Sequence, residues 1–147
     1  MERSLVLLKP DAVQRGLSGE ILERIEGKGL TIVAARLLRV TPDLAARHYA
    51  EHHGKPFYDG LVQHITSGPV LALAVEGRSA ISVIRLMIGA TNPMNAAPGT
   101  VRGDLASSMT ANLIHASDSP ASAERELALF FRAEDYHSYV RAGQEFF

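Results

Sequence analysis

The stretch NLIHASDSPASAERE, residues 112–126, joins the end of a predicted strand to the beginning of a predicted helix. Ser119 before Pro120 is typical of a helix N-terminus, with serine as the N-cap and proline at the first helical position. His115 should therefore lie just ahead of that N-terminus, where backbone N–H groups and the helix dipole favour an anion. A nucleophilic histidine beside an anion site indicates phosphate chemistry, and a histidine that only fills a turn is the simpler alternative.

The rest of the chain alternates between strand and helix patterns. Short apolar runs predict strands at 4–8, 30–40, 70–75 and 113–114. Apolar residues at helical spacing predict helices at 18–26, 41–53, 57–66, 79–89 and 120–131, with a further short helix at 104–110. The segment 90–104 is rich in Pro, Gly and Asn without periodicity, so a long functional loop is predicted there.

The order of these elements reduces to β-α-β-β-α-β with additional helices, which predicts a ferredoxin-like sandwich. This is an α/β fold of the α+β type, with a mostly antiparallel four-stranded sheet covered by helices on one face. A doubly wound parallel sheet is the alternative, because the elements alternate so regularly. The 147 residues, 46% of them hydrophobic, suit a single domain that spans residues 1–147.

Composition speaks against several classes of protein. The net charge of -1 gives no overall attraction to nucleic acid or to a membrane surface. Without cysteine the chain has neither disulfides nor thiolate metal sites. No apolar run approaches the roughly 18 residues of a membrane span, and the run Ser4–Leu8 is too short for the core of a signal peptide. These observations predict a cytoplasmic protein.

A cluster of histidines occurs near the middle of the chain. His48 and His52 are four residues apart, with Glu51 and His53 beside them, so a metal site or a zinc hydrolase is one reading. No third ligand is placed convincingly. The pattern is therefore predicted to be a solvated helix face.

Phosphate-binding motifs of the glycine-rich kind are absent. The chain has neither the Gly-x-x-x-x-Gly-Lys-Ser/Thr loop nor the protein-kinase signature set. A nucleotide site would have to rely on cationic side chains, and Lys9, Arg85 and Arg102 are the candidates, each beside a loop or the edge of the core. Glu126 neighbours the apolar stripe of the last helix, so its carboxylate should reach the edge of the core near the preceding strand.

Six segments, taken in order, resemble the motifs of the nucleoside diphosphate kinase family. They are LLKPDA (7–12), FYDGL (57–61), SGPV (67–70), GATNP (89–93), PGTVRGD (98–104) and NLIHASDS (112–119), the last followed by Ser122, Ala123 and Glu126. The resemblance covers essentially the whole chain. Ala116 departs from it, since the family most often has glycine at this position.

This resemblance implies an enzyme that transfers the γ-phosphoryl group of a nucleoside triphosphate to a nucleoside diphosphate. It implies a ping-pong mechanism through a phosphohistidine at His115, with broad tolerance of base and sugar. Mg²⁺ is the expected cofactor, held by the nucleotide and water without a direct protein ligand, with Asp118 acting through water. The family forms homo-oligomers, either tetramers or hexamers built from dimers.

The resemblance also implies how the nucleophile is held. Glu126 would fix and polarise the His115 ring, Ser117 would hydrogen-bond that carboxylate, and Tyr49 would pack beside the histidine. A free imidazole has a pKa near 6.5 and is mostly neutral at cytosolic pH, so it offers a lone pair without a separate base.

Contacts to phosphate and ribose are implied for a second group of residues, namely Lys9, Arg85, Thr91, Arg102 and Asn112. Phosphoryl transfer spreads negative charge over the equatorial oxygens, so fixed cations supply much of the catalysis. Phe57 would stack on the base, with Leu61 beside it and Met109 on the other side. Because every base has a π-face, such stacking explains a weak base preference.

A protein that keeps this fold as an interaction module, or that binds DNA or partner proteins, is the alternative to an enzyme. The complete set of implied site residues favours the enzyme, because a member that has lost its chemistry should lack some of them. The near-neutral charge also argues against nucleic acid as the main partner.

Overall fold

Four strands form one sheet at the centre of the computed structural model, which describes residues 1–147. They are β1 (Glu2–Leu8), β2 (Thr31–Leu38), β3 (Val70–Gly77) and β4 (Ile114–Ala116), in the spatial order β2-β3-β1-β4. Every neighbouring pair is antiparallel. The predicted ferredoxin-like fold is confirmed, and the alternative of a doubly wound parallel sheet is wrong.

Seven α-helices connect and cover the strands. They are α1 (Pro10–Gln14), α2 (Ser18–Gly27), α3 (Pro42–His48), α4 (Tyr58–Ile65), α5 (Ala80–Ile88), α6 (Val101–Leu105) and α7 (Pro120–Phe130). Short 3₁₀ turns lie at Ala50–His52, Pro93–Asn95, Ala133–Asp135 and Gln144–Phe146. Two predicted N-caps are confirmed: the Leu44 N–H donates to Thr41 Oγ1 at 3.1 Å, and the Ser122 N–H donates to Ser119 Oγ at 3.1 Å.

Helices cover both faces of the sheet, so the expectation that they lie on one face is wrong. Successive side chains of a strand point to opposite faces. Val6 and Leu8 of β1 pack into a core with α2, α5 and α6, whereas Leu5 and Leu7 pack into a second core with α3, α4 and α7. Burying one such side chain contributes about 1.5–3 kcal/mol, so a strand that is apolar at consecutive positions is stable only when both its faces are covered.

Three helices differ from the predicted pattern. Helix α3 ends at His48, before the predicted end at 53, and a separate 3₁₀ turn follows it. Helix α6 occupies Val101–Leu105 and not 104–110, because Thr100 Oγ1 accepts the Gly103 N–H at 3.0 Å and begins the helix earlier. Residues 106–110 are irregular. Helix α1 was not predicted, and it follows β1 directly with Pro10 at its first position. None of the helices combines the length and the apolar character that crossing a bilayer requires.

The carboxyl end of β1 and the beginning of β4 meet at a strained corner. Leu113 has a φ of 76°, a left-handed conformation that is uncommon for a residue with a branched side chain. Two hydrogen bonds hold it there: its N–H donates to Asp11 Oδ2 at 3.0 Å, and its carbonyl accepts the Lys9 N–H at 2.8 Å. This corner brings Lys9 and His115, which are far apart in the chain, to the same end of the sheet.

Candidate active site

A cavity of about 740 Å³ opens at this end of the sheet. His115 is the central residue of β4 and lies opposite Leu7 of β1, with its half-buried ring at the cavity wall. Twelve of the residues singled out from the sequence line the same cavity, namely Lys9, Tyr49, Phe57, Leu61, Arg85, Thr91, Arg102, Met109, Asn112, His115, Asp118 and Glu126. Ser117 does not line it, because its side chain is buried behind Glu126.

A short relay of hydrogen bonds holds the His115 ring. Its Nε2 lies 3.0 Å from Glu126 Oε2, and the Ser117 hydroxyl donates to Glu126 Oε1 at 2.7 Å. Ser117 Oγ in turn accepts the Leu5 N–H at 3.1 Å, which ties the relay to β1. A carboxylate accepts hydrogen bonds and does not donate them, so Nε2 carries the proton of the neutral ring and the lone pair is on Nδ1.

Glu126 is 4% exposed and yet has a lowered pKa. Burial alone raises the pKa of this carboxyl. The hydrogen bonds from His115 and Ser117, together with the attraction of the neighbouring imidazoles, outweigh that effect, so the pKa lies below its usual value. Glu126 therefore stays ionised at neutral pH and keeps the His115 ring in one orientation and one tautomer.

Lys9 follows β1 directly and is 7% exposed. Its ammonium group donates to Asn112 Oδ1, and Asn112 Nδ2 donates to the Thr91 carbonyl at 3.0 Å. Burial lowers the pKa of Lys9 to about 8, against the attraction of Asp11 and with the repulsion of Arg102. These contacts join the carboxyl end of β1, the 90–104 segment and Asn112, which precedes the strained corner. Together they form one polar wall of the cavity.

Two arginines add positive charge to that wall in different ways. Arg102 is buried, and its guanidinium donates to the carbonyls of Asn112 at 3.2 Å, Gly89 at 3.0 Å and Ile114 at 2.6 Å. Burial, with the nearby Arg85, lowers the pKa of Arg102 to about 10. Arg85 is exposed, and its one contact to the Ala116 carbonyl is long, at 3.4 Å. A guanidinium has five N–H groups, so both side chains retain donors for an anion.

Part of the cavity lining is apolar. Phe57 is 51% exposed and Met109 is 56% exposed, with Leu61 half-buried between the cavity and the second core. The lining of a single cavity thus combines an aromatic side chain, three cations and an oriented imidazole. This arrangement suits a ligand with a planar ring and several anionic groups.

Known proteins share this chain's sequence and fold over most of its length. The family model for nucleoside diphosphate kinase matches residues 2–136. A nucleoside diphosphate kinase of Archaeoglobus fulgidus is 53% identical over 145 residues, which cover 99% of this chain and 96% of the relative. One from Roseiflexus castenholzii is 61% identical over 135 residues, covering 92% of this chain and 91% of the relative.

This chain belongs to the nucleoside diphosphate kinase family.

The solved structure of a halophilic nucleoside diphosphate kinase from Halobacterium salinarum, in complex with CDP, is similar to the whole chain. The two superpose with a TM-score of 0.96 at 48% sequence identity, over 99% of this chain and 97% of the other. As a member of the nucleoside diphosphate kinase family, the protein is an enzyme of nucleotide metabolism, a transferase that moves phosphoryl groups between nucleoside triphosphates and diphosphates.

One residue of this chain lies at a position that the sequence pattern did not predict. His48 was expected on a solvated helix face, but it is 3% exposed, and its ring stands edge-on against His115 with the ring centroids 4.7 Å apart. His48 therefore contacts the nucleophile candidate, and Tyr49 lines the same cavity as His115. Tyr49 packs on His48 at 4.7 Å, and burial raises the pKa of Tyr49 to about 12.

A signal for this placement was present in the sequence. Ala45, His48 and Tyr49 are spaced three and four residues apart on α3, which is the spacing of a buried stripe. Burial, with the neighbouring His115, lowers the pKa of His48 to about 3, so its ring is neutral at physiological pH. The expectation of solvation holds for the exposed His53.

Asp11 and His64 were also given no role by the sequence. Asp11 Oδ1 lies 2.9 Å from His64 Nε2 of α4, and its other oxygen accepts the Leu113 N–H at 3.0 Å. Burial opposes ionisation of Asp11, but the hydrogen bond and attraction of His64 and the charge of Lys9 lower its pKa. The pair joins the helix that follows Phe57 to the strained corner before His115.

The donor set of this cavity suits a divalent cation that arrives with a nucleotide. The carboxylates that line it are Glu51, Asp118 and Glu126, and the last is already occupied by His115 and Ser117. Mg²⁺ requires six oxygen ligands and usually keeps several waters. The two remaining carboxylates are exposed and do not form a cage, so phosphate oxygens and water would complete the coordination, with Asp118 nearby.

Proposed function

We propose that His115 carries the phosphoryl group between two nucleotides in a ping-pong reaction. One observation supports this above all: Nε2 is engaged by Glu126 at 3.0 Å, so the lone pair on Nδ1 is available at the cavity wall. In the first half-reaction Nδ1 attacks the γ-phosphorus of a nucleoside triphosphate. The N–P bond forms as the bond to the bridging oxygen breaks, and the nucleoside diphosphate leaves.

In the second half-reaction a different nucleoside diphosphate attacks the phosphohistidine, and the same bond changes run in reverse. Glu126 holds the ring through both steps and stabilises the positive charge that develops on it, while Ser117 fixes the carboxylate. Neither half-reaction needs a general base, because the attacking atom has no proton in either step: it is Nδ1 of His115 in the first and an ionised terminal phosphate oxygen of the diphosphate in the second.

Three cations are proposed to stabilise the transferring group. Lys9, Arg85 and Arg102 line the cavity, and the loose transition state of phosphoryl transfer spreads charge over oxygens that such groups can bind. Thr91 would donate its hydroxyl to phosphate, and Asn112 with Lys9 would bind the ribose hydroxyls. Mg²⁺, where bound, neutralises charge on the β and γ phosphates.

The base is proposed to stack on Phe57, with Leu61 beside it and Met109 opposite. The half-exposed ring of Phe57 offers a face on which any base can stack. Broad tolerance of base and of sugar follows. The protein is further proposed to act in the cytoplasm as a homo-oligomer.

A labelling experiment tests the mechanism. Incubation with γ-labelled ATP and Mg²⁺ should label the chain with an acid-labile, base-stable phosphate, and a chase with any unlabelled nucleoside diphosphate should remove the label. His115→Ala should not be labelled, whereas His53→Ala, at an exposed histidine outside the cavity, should be labelled fully. A label that persists in His115→Ala would overturn the proposal.

A further inference from the structure

His48 is a buried histidine whose ring nitrogens make no hydrogen bond within the protein. It is 3% exposed, and neither Nδ1 nor Nε2 has a hydrogen-bond partner among the protein's atoms. The ring stands edge-on against His115 and also against Phe130, with centroid distances of 4.7 and 5.5 Å. Buried polar atoms are nearly always paired, and an apolar ring would fill this space without loss. A chemical use for the nitrogens would explain why a histidine stands here.

Three ligand atoms converge at this point. One ring nitrogen of His48, one of His115 and a carboxylate oxygen of Glu126 all lie within 4.8 Å of one another. His115 Nε2 and Glu126 Oε2 are 3.0 Å apart. In a tetrahedral zinc site with bonds of about 2.0–2.1 Å, neighbouring ligand atoms are about 3.4 Å apart. The His115 and Glu126 atoms are already close to this separation. The His48 nitrogen would reach it by moving no more than about 1.4 Å.

We infer that His48, His115 and Glu126 form a binding site for a transition-metal ion of the zinc class, distinct from the Mg²⁺ that accompanies a nucleotide. Two imidazoles and one carboxylate are an established ligand set for zinc, with a fourth position left for water. Mg²⁺ prefers oxygen ligands and does not suit this set. The ring nitrogens of His48 have no hydrogen-bond partner to lose when an ion binds.

A metal ion can reach this site from solvent, but nearby cationic side chains repel it. His115 and Glu126 line the open cavity, so an ion reaches them from solvent and meets His48 behind them. The guanidinium of Arg125 lies 4.0 Å from Glu126 Oε2, and Lys9, Arg85 and Arg102 line the same cavity. These cations weaken the binding of a metal ion, and a nucleotide that neutralises them competes for the same space.

Occupancy of the site switches off the nucleophile, a consequence that rests on the proposed function. When the ion binds His115 Nε2, the proton of the neutral ring moves from Nε2 to Nδ1, and no proton is gained or lost. Nδ1 then has no lone pair with which to attack phosphorus. The metal-bound chain is an enzyme that cannot be phosphorylated, and removal of the ion restores it.

Zn²⁺ binding to the nucleotide-free, full-length protein tests the site without reference to catalysis. Competition with a chromogenic chelator should give one Zn²⁺ per chain, and His48→Asn should weaken the affinity at least tenfold. Glu126→Gln provides a second variant at a different ligand, in case His48→Asn fails to fold. His53→Asn, at an exposed histidine, is the matched control and should bind as the wild type does.

The outcome of this titration decides the proposal. Equal affinity in the wild type and in both ligand variants would overturn it. A loss of binding in His52→Asn with none in Glu126→Gln would also overturn it, because the ion would then be held by the helical pair His48 and His52.

Labelling with γ-labelled ATP and Mg²⁺ then separates the site from the proposed function. Protein loaded with one Zn²⁺ and desalted should be labelled at least tenfold more slowly than the metal-free protein, and a chelator should restore the rate. If metal-free protein is never labelled while Zn²⁺ binds as expected, the proposed function fails and the site stands. If metal-free protein is labelled and Zn²⁺ neither binds nor slows it, the site fails and the proposed function stands.

Discussion

The orientation of His115 depends on the Glu126 carboxylate, which is itself fixed by a second hydrogen bond. Glu126 reaches the ring from α7 and is fixed by the Ser117 hydroxyl, which is bonded to the backbone of β1. The sequence placed Glu126 beside an apolar stripe at the edge of the core, and the family resemblance implied its contact with His115. The sequence could not predict the left-handed Leu113 or the bond from Leu113 to Asp11, because neither has a periodic or compositional signal.

Replacing Glu126 should slow the transfer step without abolishing the fold. In Glu126→Gln the amide still fills the site, but it has no charge to stabilise the ring and two competing orientations. We expect kcat to fall about 10- to 100-fold, by analogy with the loss of a hydrogen-bond partner that orients a metal-binding histidine, with KM little changed. Steady-state kinetics with ATP and a second diphosphate measure this.

Glu124→Gln on the same helix is the matched control, since Glu124 is exposed and has no contact with the cavity. Equal kcat values in the two variants would show that Glu126 does not act through His115.

Nucleotide affinity should weaken as the pH rises past 8. Burial lowers the pKa of Lys9 to about 8, so the side chain is charged below this pH and increasingly neutral above it. The dissociation constant of a nucleoside diphosphate should therefore rise above pH 8, by at most about tenfold per pH unit. Calorimetric titrations at pH 7, 8 and 9 measure it.

Lys9→Met removes the titrating group, and its affinity should be weaker at pH 7 and nearly independent of pH. The assignment is wrong if the wild type and Lys9→Met show the same pH profile.

At the scale of the elements, the local sequence was sufficient to predict most helices and strands. The proline and serine signals before α3 and α7 were sufficient to place their N-termini. The consecutive apolar residues of β1 also indicated a strand covered on both sides, and the expectation of one helical face overlooked this. Helix α6 was misplaced because a single threonine hydroxyl at Thr100 decides where it begins, within a segment that has no apolar period.

Removing the cap of α7 should destabilise the protein measurably. Ser119 Oγ accepts the Ser122 N–H at 3.1 Å and lies 3.0 Å from the Ser122 hydroxyl. Ser119→Ala should lower the free energy of unfolding by about 1 kcal/mol, as measured by urea denaturation.

Ser107→Ala is the comparison, because Ser107 is exposed and lies outside any helix. Its free energy of unfolding should stay within about 0.5 kcal/mol of the wild type, and a similar loss in both variants would contradict the role of the cap.

At the scale of the whole molecule, local patterns were not enough. Lys9, Arg102 and His115 form a site only because β1 and β4 are neighbours in the sheet, and no spacing in the sequence shows that pairing. The collinear family motifs implied that these residues come together. The contact of His48 with His115 follows from the packing of α3 on α7, which only the structure shows.

The exposed edge of the sheet predicts self-association. β2 has a neighbour on one side only, and Leu37 on it is 66% exposed. The C-terminal segment covers the first part of this edge, where the His137 N–H donates to the Val33 carbonyl. The exposed apolar part around Leu37 favours pairing with a second copy. Sedimentation should give a species several times heavier than the 15.9 kDa chain, and Leu37→Glu should shift it towards smaller species.

Leu86→Glu is the matched control, since Leu86 is 78% exposed on α5, away from that edge. A wild-type protein that sediments as a single chain at micromolar concentration would rule the association out.

The three-residue strand β4 has a consequence for how the protein becomes active during folding. The bonds that position His115 join the two ends of the chain: Leu5 and Ser117 are 112 positions apart, and Asp11 and Leu113 are 102 apart. Closing loops of this length carries a large entropic penalty, and such contacts are slow to form. A nascent chain can complete its first three strands and still have no oriented nucleophile, so catalytic competence arrives only when the last quarter of the polypeptide has docked onto the first strand.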